Sequence, residues 1–146
     1  MKISTKGRYA LRLMMDVANH DQEGFVSLKD VAGRQEISLK YLEQIAGMLS
    51  RAGMLHSGRG AQGGYRLAKE PSAYTVGSIL RLTEGDLAPV ACLEGVTNQC
   101  DRCLQCPTVG FWAGLYQVVN EYIDRYTLAD LLAEQARKQD LKDSAI

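Results

Sequence analysis

The residues best suited to chemistry are four cysteines in the second half of the chain. They fall within fifteen consecutive residues of the 146-residue sequence: Cys92, Cys100, Cys103 and Cys106. Thiolates ligate iron-sulfur clusters and zinc, and they are readily oxidised. The chain is long enough to build a core without disulfides and shows no secretion signal, so a metal or redox site is the better interpretation.

The spacing of these cysteines favours an iron-sulfur cluster, of the 4Fe-4S or 2Fe-2S type, over zinc. Cys100, Cys103 and Cys106, followed by Pro107, have the C-x2-C-x2-C spacing that opens bacterial ferredoxin cluster segments. A zinc site made of four thiolates normally pairs two C-x2-C units, and this segment does not. Redox-active thiols without any metal remain a third interpretation.

The charge of the chain is zero overall but unevenly distributed. Residues 1–70 contain 11 Lys and Arg against 7 Asp and Glu, whereas residues 71–146 contain 6 against 10. A basic first half is compatible with binding to phosphate. The chain contains no run of eighteen apolar residues and no signal peptide, so we expect a cytoplasmic protein without membrane contact.

The first half of the chain predicts a helix-turn-helix. Apolar residues at three and four spacing indicate a helix from Ser4 to His20. Ser27 is positioned to cap a short helix, Leu28 to about Gln35, and Ser38 to cap a second, Leu39 to Ala52. Two such helices joined by three residues are typical of DNA-binding proteins, in which the second helix enters the major groove.

A glycine-rich hairpin follows these helices. Strands are predicted over Met54–Ser57 and Tyr65–Ala68, joined by a loop with four glycines in seven residues. Arg59 at its tip is placed to enter a minor groove. The loop lacks the lysine and hydroxyl of a nucleotide-binding P-loop, which argues against a nucleotide site.

The second half predicts three further helices around the cysteines. Thr75 is expected to cap a helix over Val76–Glu84, and residues 86–107 show no periodicity. A long helix begins near Thr108, and its wide apolar stripe suggests packing against a second chain. The last helix is predicted over Leu128 to about Lys138, with a frayed charged end.

These elements predict a mainly α fold with a small β-wing: a winged helix-turn-helix domain plus a long C-terminal dimerisation helix. The expected domains are a DNA-binding domain over 1–85, a cysteine-containing sensor loop over 86–107, and the dimerisation helix with the C-terminal helix over 108–146.

Four segments carry a resemblance to a known family. MKISTKGRYALRLMMDVA, ISLKYLEQIAGMLSRAGML, GRGAQGGYRLAKEP and YTLADLL, together with the cysteine region, resemble the IscR-like family of winged-helix iron-sulfur cluster regulators over residues 1–135. The resemblance implies a homodimer that reads a pseudo-palindromic operator in double-stranded DNA, typically as a repressor.

The resemblance also implies which residues contact DNA. It assigns the start of the recognition helix and the wing tip: Ser38, Lys40, Tyr41, Glu43, Gln44, Arg59 and Gly60. Arg51 adds positive charge, and Gln44 is suited to pair with adenine. Glu43 either accepts a hydrogen bond from cytosine N4 or is a solvated helix charge.

Cluster-binding members of the family use three cysteines and one further ligand. Aligned with them, this chain has its three cysteines at Cys92, Cys100 and Cys106. The position of the family's histidine ligand is occupied by Val109, and that of an aspartate ligand by Arg8. The resemblance therefore points to Cys103 as the fourth ligand, and ligation is expected to set the angle between the two DNA-binding heads.

Competing functions are an enzyme or cluster carrier, and a cluster-independent repressor of the same family controlled by a metabolic enzyme partner or by thiol oxidation. Neither paired catalytic carboxylates nor a nucleophile with a histidine partner occurs, so we expect no enzymatic activity. His20 and His56 lie in the DNA-binding half and are poor metal ligands for the cysteine site.

Overall fold

The structure, a computed structural model, describes residues 1–145, which form six α-helices and one antiparallel hairpin. The helices are α1 (Thr5–His20), α2 (Leu28–Gln35), α3 (Leu39–Arg51), α4 (Val76–Glu84), α5 (Val109–Arg125) and α6 (Leu128–Ser144), and the strands are β1 (Leu55–Gly58) and β2 (Gly64–Leu67). The predicted mainly α fold with a small wing is confirmed.

Hydroxyl side chains begin most of these helices. Ser4, Ser27, Ser38 and Thr75 each accept a hydrogen bond from the backbone N–H three residues on, which satisfies one of the free donors of the first turn. Thr127 makes a reciprocal capping box at the start of α6. The helix starts predicted from the sequence therefore match the structure closely.

The core lies around α1, the first helix. Three of its apolar side chains, Leu13, Met14 and Val17, are completely buried. They meet the apolar faces of α2, α3, β1, α4 and α6, whose fully buried members are Val31, Leu42, Ile45, Ala46, Leu49, Leu55, Ile79 and Leu128. Burial of each large side chain stabilises the fold by about 2 kcal/mol, so α2 and α3 are held firmly.

The wing is tied to the core by an isolated β-bridge between Val26 and Tyr65, which local sequence patterns do not predict. Val26 and Tyr65 exchange both backbone hydrogen bonds, at 2.7 and 2.9 Å. Gly64, beside Tyr65, has φ +147°, and a Cβ there would lie 2.2 Å from the Val26 carbonyl oxygen. Glycine is therefore required at position 64, where the hairpin passes close to the backbone of Val26.

The joint between α5 and α6 is fixed to the start of α4. Val76 N–H donates to the Tyr126 carbonyl at 2.8 Å, and Leu128 N–H donates to the Tyr74 carbonyl at 2.9 Å. These two bonds flank an isolated bridge between Thr75 and Thr127. The C-terminal helices are thus anchored to the start of α4 through their connecting turn.

The predicted end of the last helix and the predicted ends of both strands were wrong. The last helix continues to Ser144 and does not end near Lys138. Side-chain pairs support the extra turns, because Arg137 bonds Glu134 at 2.9 Å and Gln139 bonds Asp143 at 2.9 Å. Each strand of the wing also begins and ends one residue away from the predicted position, because the ladder pairs Gly58 with Gly64.

Candidate nucleic-acid interface and cysteine segment

The start of α3 presents a polar, solvent-exposed face. Lys40, Glu43 and Gln44 are exposed and share one side of the helix. Ser38 uses its Oγ as an acceptor for Tyr41 N–H at 3.2 Å, so its hydroxyl hydrogen stays available to an external acceptor such as phosphate. This face therefore carries donors, one acceptor and a positive charge within two helical turns.

Arg51 extends the same face, although it lies at the far end of α3. One of its guanidinium nitrogens comes within 3.2 Å of the Cβ position at Gly47, so the side chain folds back along the helix. Gly47 is one turn beyond Glu43 and Gln44. The absence of a side chain at Gly47 gives the Arg51 guanidinium room on the exposed stripe.

Tyr41 is half-buried and orients the recognition helix against α1. Its ring meets that of Tyr9 edge to face, with 5.8 Å between the centroids. The Arg12 guanidinium lies over the Tyr9 ring, 5.2 Å from its centroid. Aromatic and cation–π contacts of this kind are favourable, by about 1 kcal/mol each, so they help to hold the start of α3 against α1.

A buried carboxylate fixes α2 against α1. Asp16 is 3% exposed and accepts three hydrogen bonds from Arg34, the shortest at 2.7 Å, and one from Gln35 at 2.8 Å. Burial alone raises the pKa of Asp16, but the bonds from Arg34 and Gln35 outweigh it, and the pKa is lowered. The bond to Asp16 likewise raises the pKa of Arg34. The ionised pair thus positions the first helix of the helix-turn-helix.

The turn between α2 and α3 is held at the same place. Arg12 donates to the Gln35 side chain at 3.1 Å and also to its backbone carbonyl. Glu36, the next residue, has φ +55°, the left-handed conformation that allows the chain to reverse. Asp16, Arg12 and Gln35 were not predicted as positioning residues, because their contacts join residues about twenty positions apart.

The wing tip is exposed and rests on an aromatic ring. Arg59 and Gly60 lie in the turn, and Gly60 has φ +93°. At the residue pair next to the loop, the Phe25 ring covers Gly58, where a Cβ would lie 2.7 Å from the ring. The Arg66 guanidinium is 5.8 Å from the same ring. Phe25 therefore supports the direction in which the wing projects.

The cysteine segment, residues 86–107, is irregular apart from two single turns of 3-10 helix. Backbone bonds from Cys103 N–H to the Cys100 carbonyl, at 3.1 Å, and from Cys106 N–H to the Cys103 carbonyl, at 3.4 Å, place these cysteines on successive turns. The Cys106 thiol lies 3.4 Å from the Thr108 hydroxyl. The hydroxyl and the Thr108 backbone N–H lower the pKa of Cys106.

All four thiols are free of disulfides. Among the residues that the structure describes, no three His, Cys, Asp or Glu side chains converge in a metal-binding arrangement. The donor set still fits an iron-sulfur cluster chemically, because four thiolates in one segment are its usual ligands. Cys92, Cys100, Cys103 and Cys106 as ligands therefore stay a prediction, and ligation would require the segment to draw its cysteines together.

Polar contacts join this segment to α5 and α5 to α4. Asp86 accepts hydrogen bonds from Ala88 N–H, Gly95 N–H and the Tyr116 hydroxyl, all at 2.8 Å. The Gly95 bond is the largest cause of the lowered pKa of Asp86. Between the helices, Arg81 forms a two-pronged ion pair with Asp124 at 2.7 and 2.8 Å.

The long helix α5 exposes an apolar stripe. None of its side chains is buried in the chain. Phe111 is 68% exposed, Val118 is 62% exposed and Tyr122 is 56% exposed. Monomeric proteins rarely leave an apolar row of this length in water, so the stripe is suited to contact with another protein surface.

Within residues 1–145, no helix combines the length and apolar content needed to cross a lipid bilayer.

Comparison with known proteins agrees with this architecture. The family model of Rrf2, described as an iron-dependent transcriptional regulator, matches residues 3–134. The HTH-type transcriptional regulator CymR of Bacillus subtilis is 44% identical over 131 residues, which are 90% of this chain and 89% of CymR. The regulator IscR of Yersinia enterocolitica is 39% identical over 137 residues, 92% of this chain and 81% of IscR.

Solved structures give the same result. CymR, described as the global cysteine regulator of B. subtilis, superposes with a TM-score of 0.75 at 40% identity and covers 92% of this chain and 98% of its own. IscR of T. potens superposes with a TM-score of 0.76 at 40% identity, over 95% of this chain and 91% of its own. The predicted resemblance and the expectation of a regulator and not an enzyme are confirmed: the chain belongs to the Rrf2 family of winged helix-turn-helix, DNA-binding transcriptional regulators.

Proposed function

We propose that the protein binds a double-stranded DNA operator as a homodimer and that the state of its cysteine segment modulates this binding. The exposed polar face of α3 carries the proposal, because a buried ion pair and an aromatic contact hold that face rigidly without using its donors. Ser38, Lys40, Tyr41, Glu43, Gln44 and Arg51 would contact the major groove and its phosphates, and Arg59 with Gly60 a minor groove.

A homodimer is supported by the apolar stripe on α5. Two copies that pair Phe111, Val118 and Tyr122 across a twofold axis would remove this stripe from water. Pairing would also place two recognition helices and two wings on one duplex, which matches a pseudo-palindromic operator.

Modulation by an iron-sulfur cluster is supported by the donor set of the cysteine segment. Cys92, Cys100, Cys103 and Cys106 would hold it. A bound cluster would supply bonds that tie distant parts of the segment together and that are lost on oxidation or iron shortage. The protein's own contribution is the bonding of the segment to α5 through Asp86.

Regulation without a cluster is the second candidate. It is favoured by the separation of the four thiols, no three of which converge in the part of the chain that the structure describes. In this case thiol oxidation or a partner protein would change the segment. Among the relatives, CymR is described as a global cysteine regulator, whereas the IscR structure is described only by that name.

The first experiment tests DNA binding. Duplexes selected from a random pool by the wild-type protein are used to measure affinity by fluorescence anisotropy at one fixed salt concentration. Gln44→Ala is expected to weaken binding about tenfold and to relax base preference at one position of each half-site. Lys142→Ala, which removes a charge from exposed α6, is the matched control. Equal affinities for selected and random duplexes would contradict the proposal.

The second experiment separates the two modes of regulation. Anaerobically purified protein is assayed for iron, sulfide and visible absorption, in the wild type and in Cys92→Ala. Stoichiometric iron and sulfide that disappear in the variant support the cluster. Their absence from both, with operator affinity that changes on treatment with diamide, supports regulation by the thiols themselves.

A further inference from the structure

We infer that Asp86 is a positioning residue that transmits the state of the cysteine segment to α5. This inference rests on the proposed regulation, since it names the contact through which that regulation passes. Asp86 follows Gly85, the residue that ends α4, and therefore stands where the DNA-binding unit gives way to the cysteine segment.

The carboxylate of Asp86 closes the first part of the cysteine segment into a loop. Oδ1 accepts from Ala88 N–H and Oδ2 accepts from Gly95 N–H, both at 2.8 Å. Gly95 has φ +79°, a conformation that presents its N–H toward the start of the loop with little strain for glycine alone. Cys92 lies between these two anchored residues. A displacement of Cys92 therefore acts on the backbone groups that Asp86 holds.

The same carboxylate is bonded to the middle of α5. The Tyr116 hydroxyl donates to Oδ1 at 2.8 Å, across thirty residues of sequence. An aspartate that only shaped its own turn would need the Ala88 bond alone. The additional bonds to Gly95 and Tyr116 connect the start of the cysteine segment to the middle of α5.

The connection continues from α5 to α4. Asn120, one turn after Tyr116, accepts a hydrogen bond from Arg81 at 2.8 Å. Arg81 also pairs with Asp124 on the next turn of α5. The Asp86–Tyr116 bond thus joins the cysteine segment to α5, and the Arg81–Asn120 bond joins α5 to α4, the helix that follows the wing. Movement of the cysteine segment can therefore change the angle between α5 and α4. In a dimer this angle sets the distance between the two copies of α3.

The test compares full-length variants in two states of the segment. In one state the thiols are reduced and metal-free, and in the other they are loaded with iron and sulfide or, if no cluster forms, oxidised with diamide. Wild-type operator affinity is expected to differ about tenfold between the states. In Tyr116→Phe and Asp86→Ala this difference should fall below about twofold, while affinity in the reduced state stays at the wild-type value.

Glu94→Gln is the matched control, because it removes one charge from an exposed side chain next to Gly95 and should retain the tenfold response. Amide exchange at Gly95 gives a local readout: Asp86→Ala should speed it, whereas Tyr116→Phe should leave it slow and still lose the response. Tyr116→Phe removes a single hydroxyl and keeps the inference testable if Asp86→Ala fails to fold.

Two outcomes overturn the inference, and they differ. If Tyr116→Phe and Asp86→Ala respond like the wild type, transmission through Asp86 is refuted and the proposed regulation stands. If the wild type itself binds equally in both states, the proposed regulation fails and the inference fails with it.

Discussion

The DNA-binding unit and the C-terminal part of this protein are held together in different ways. Nearly all buried apolar side chains in the described residues come from positions before 85, and Leu87 and Leu128 are the exceptions. The cysteine segment is instead bonded to α5 through an exposed carboxylate, Asp86, and α5 leaves its apolar stripe in water.

This difference suggests a division of labour. A close-packed core resists small displacements, so the recognition helix keeps its geometry while other parts of the molecule move. Hydrogen bonds at the surface contribute little net stability and are easily exchanged for bonds to water. A segment fixed by such bonds is suited to adopt two arrangements, which regulation requires.

The largest effect is expected in the core of the DNA-binding unit. Leu42→Ala should lower the free energy of unfolding by about 3 kcal/mol, because it removes a fully buried side chain and leaves a cavity. Leu93→Ala, in the half-buried cysteine segment, should lower it by less than about 1 kcal/mol. Urea unfolding followed by circular dichroism measures both. Equal losses of unfolding free energy in the two variants would contradict the difference between the two regions.

The second-largest effect is expected at the ion pair between Asp16 and Arg34. Asp16→Asn should lower the free energy of unfolding by about 2 kcal/mol at pH 7, because it leaves Arg34 without its ionised partner. The pKa of Asp16 is lowered in the folded protein, so its contribution is complete above the unfolded pKa and disappears as the pH falls through the folded one. The stability difference between variant and wild type should therefore shrink below about pH 4. A constant difference down to pH 2 would contradict this account.

Substitutions in the apolar stripe of α5 should weaken dimer formation and leave the stability of the monomer unchanged. Val118→Glu places a charge in the proposed dimer contact and is expected to raise the dimer dissociation constant about thirtyfold, near 2 kcal/mol. Sedimentation velocity measures the change, and thermal unfolding of the monomer checks the fold. Gln117→Glu, on the exposed side of the same helix, is the control.

The smallest effect is expected at the wing. Arg59→Ala should weaken operator binding about tenfold, near 1.4 kcal/mol. It should also reduce, by about one, the magnitude of the slope of the logarithm of the binding constant against the logarithm of the salt concentration. Anisotropy titrations over a range of salt concentrations provide both values. An unchanged slope would place the Arg59 guanidinium away from the DNA.

Much of the fold was predictable from local sequence. The caps at Ser4, Ser38, Thr75 and Thr127 and the apolar spacing of the helices depend on residues within one or two turns of each other. The end of α6 was mispredicted because its charged residues suggested fraying, whereas their spacing pairs them along the helix. The DNA contacts assigned to α3 stay a prediction, and what the structure adds is that Lys40, Glu43 and Gln44 are exposed.

Sequence by itself determined where helices begin, which face of each is apolar, and that four thiols share one segment, because these properties are local. Only the tertiary structure decided that Asp16 meets Arg34, that Val26 pairs with Tyr65 and that Asp86 joins the cysteine segment to Tyr116. Those contacts join residues between 18 and 39 positions apart. Which residues meet in these contacts depends on how whole helices pack, and no local sequence pattern encodes that packing.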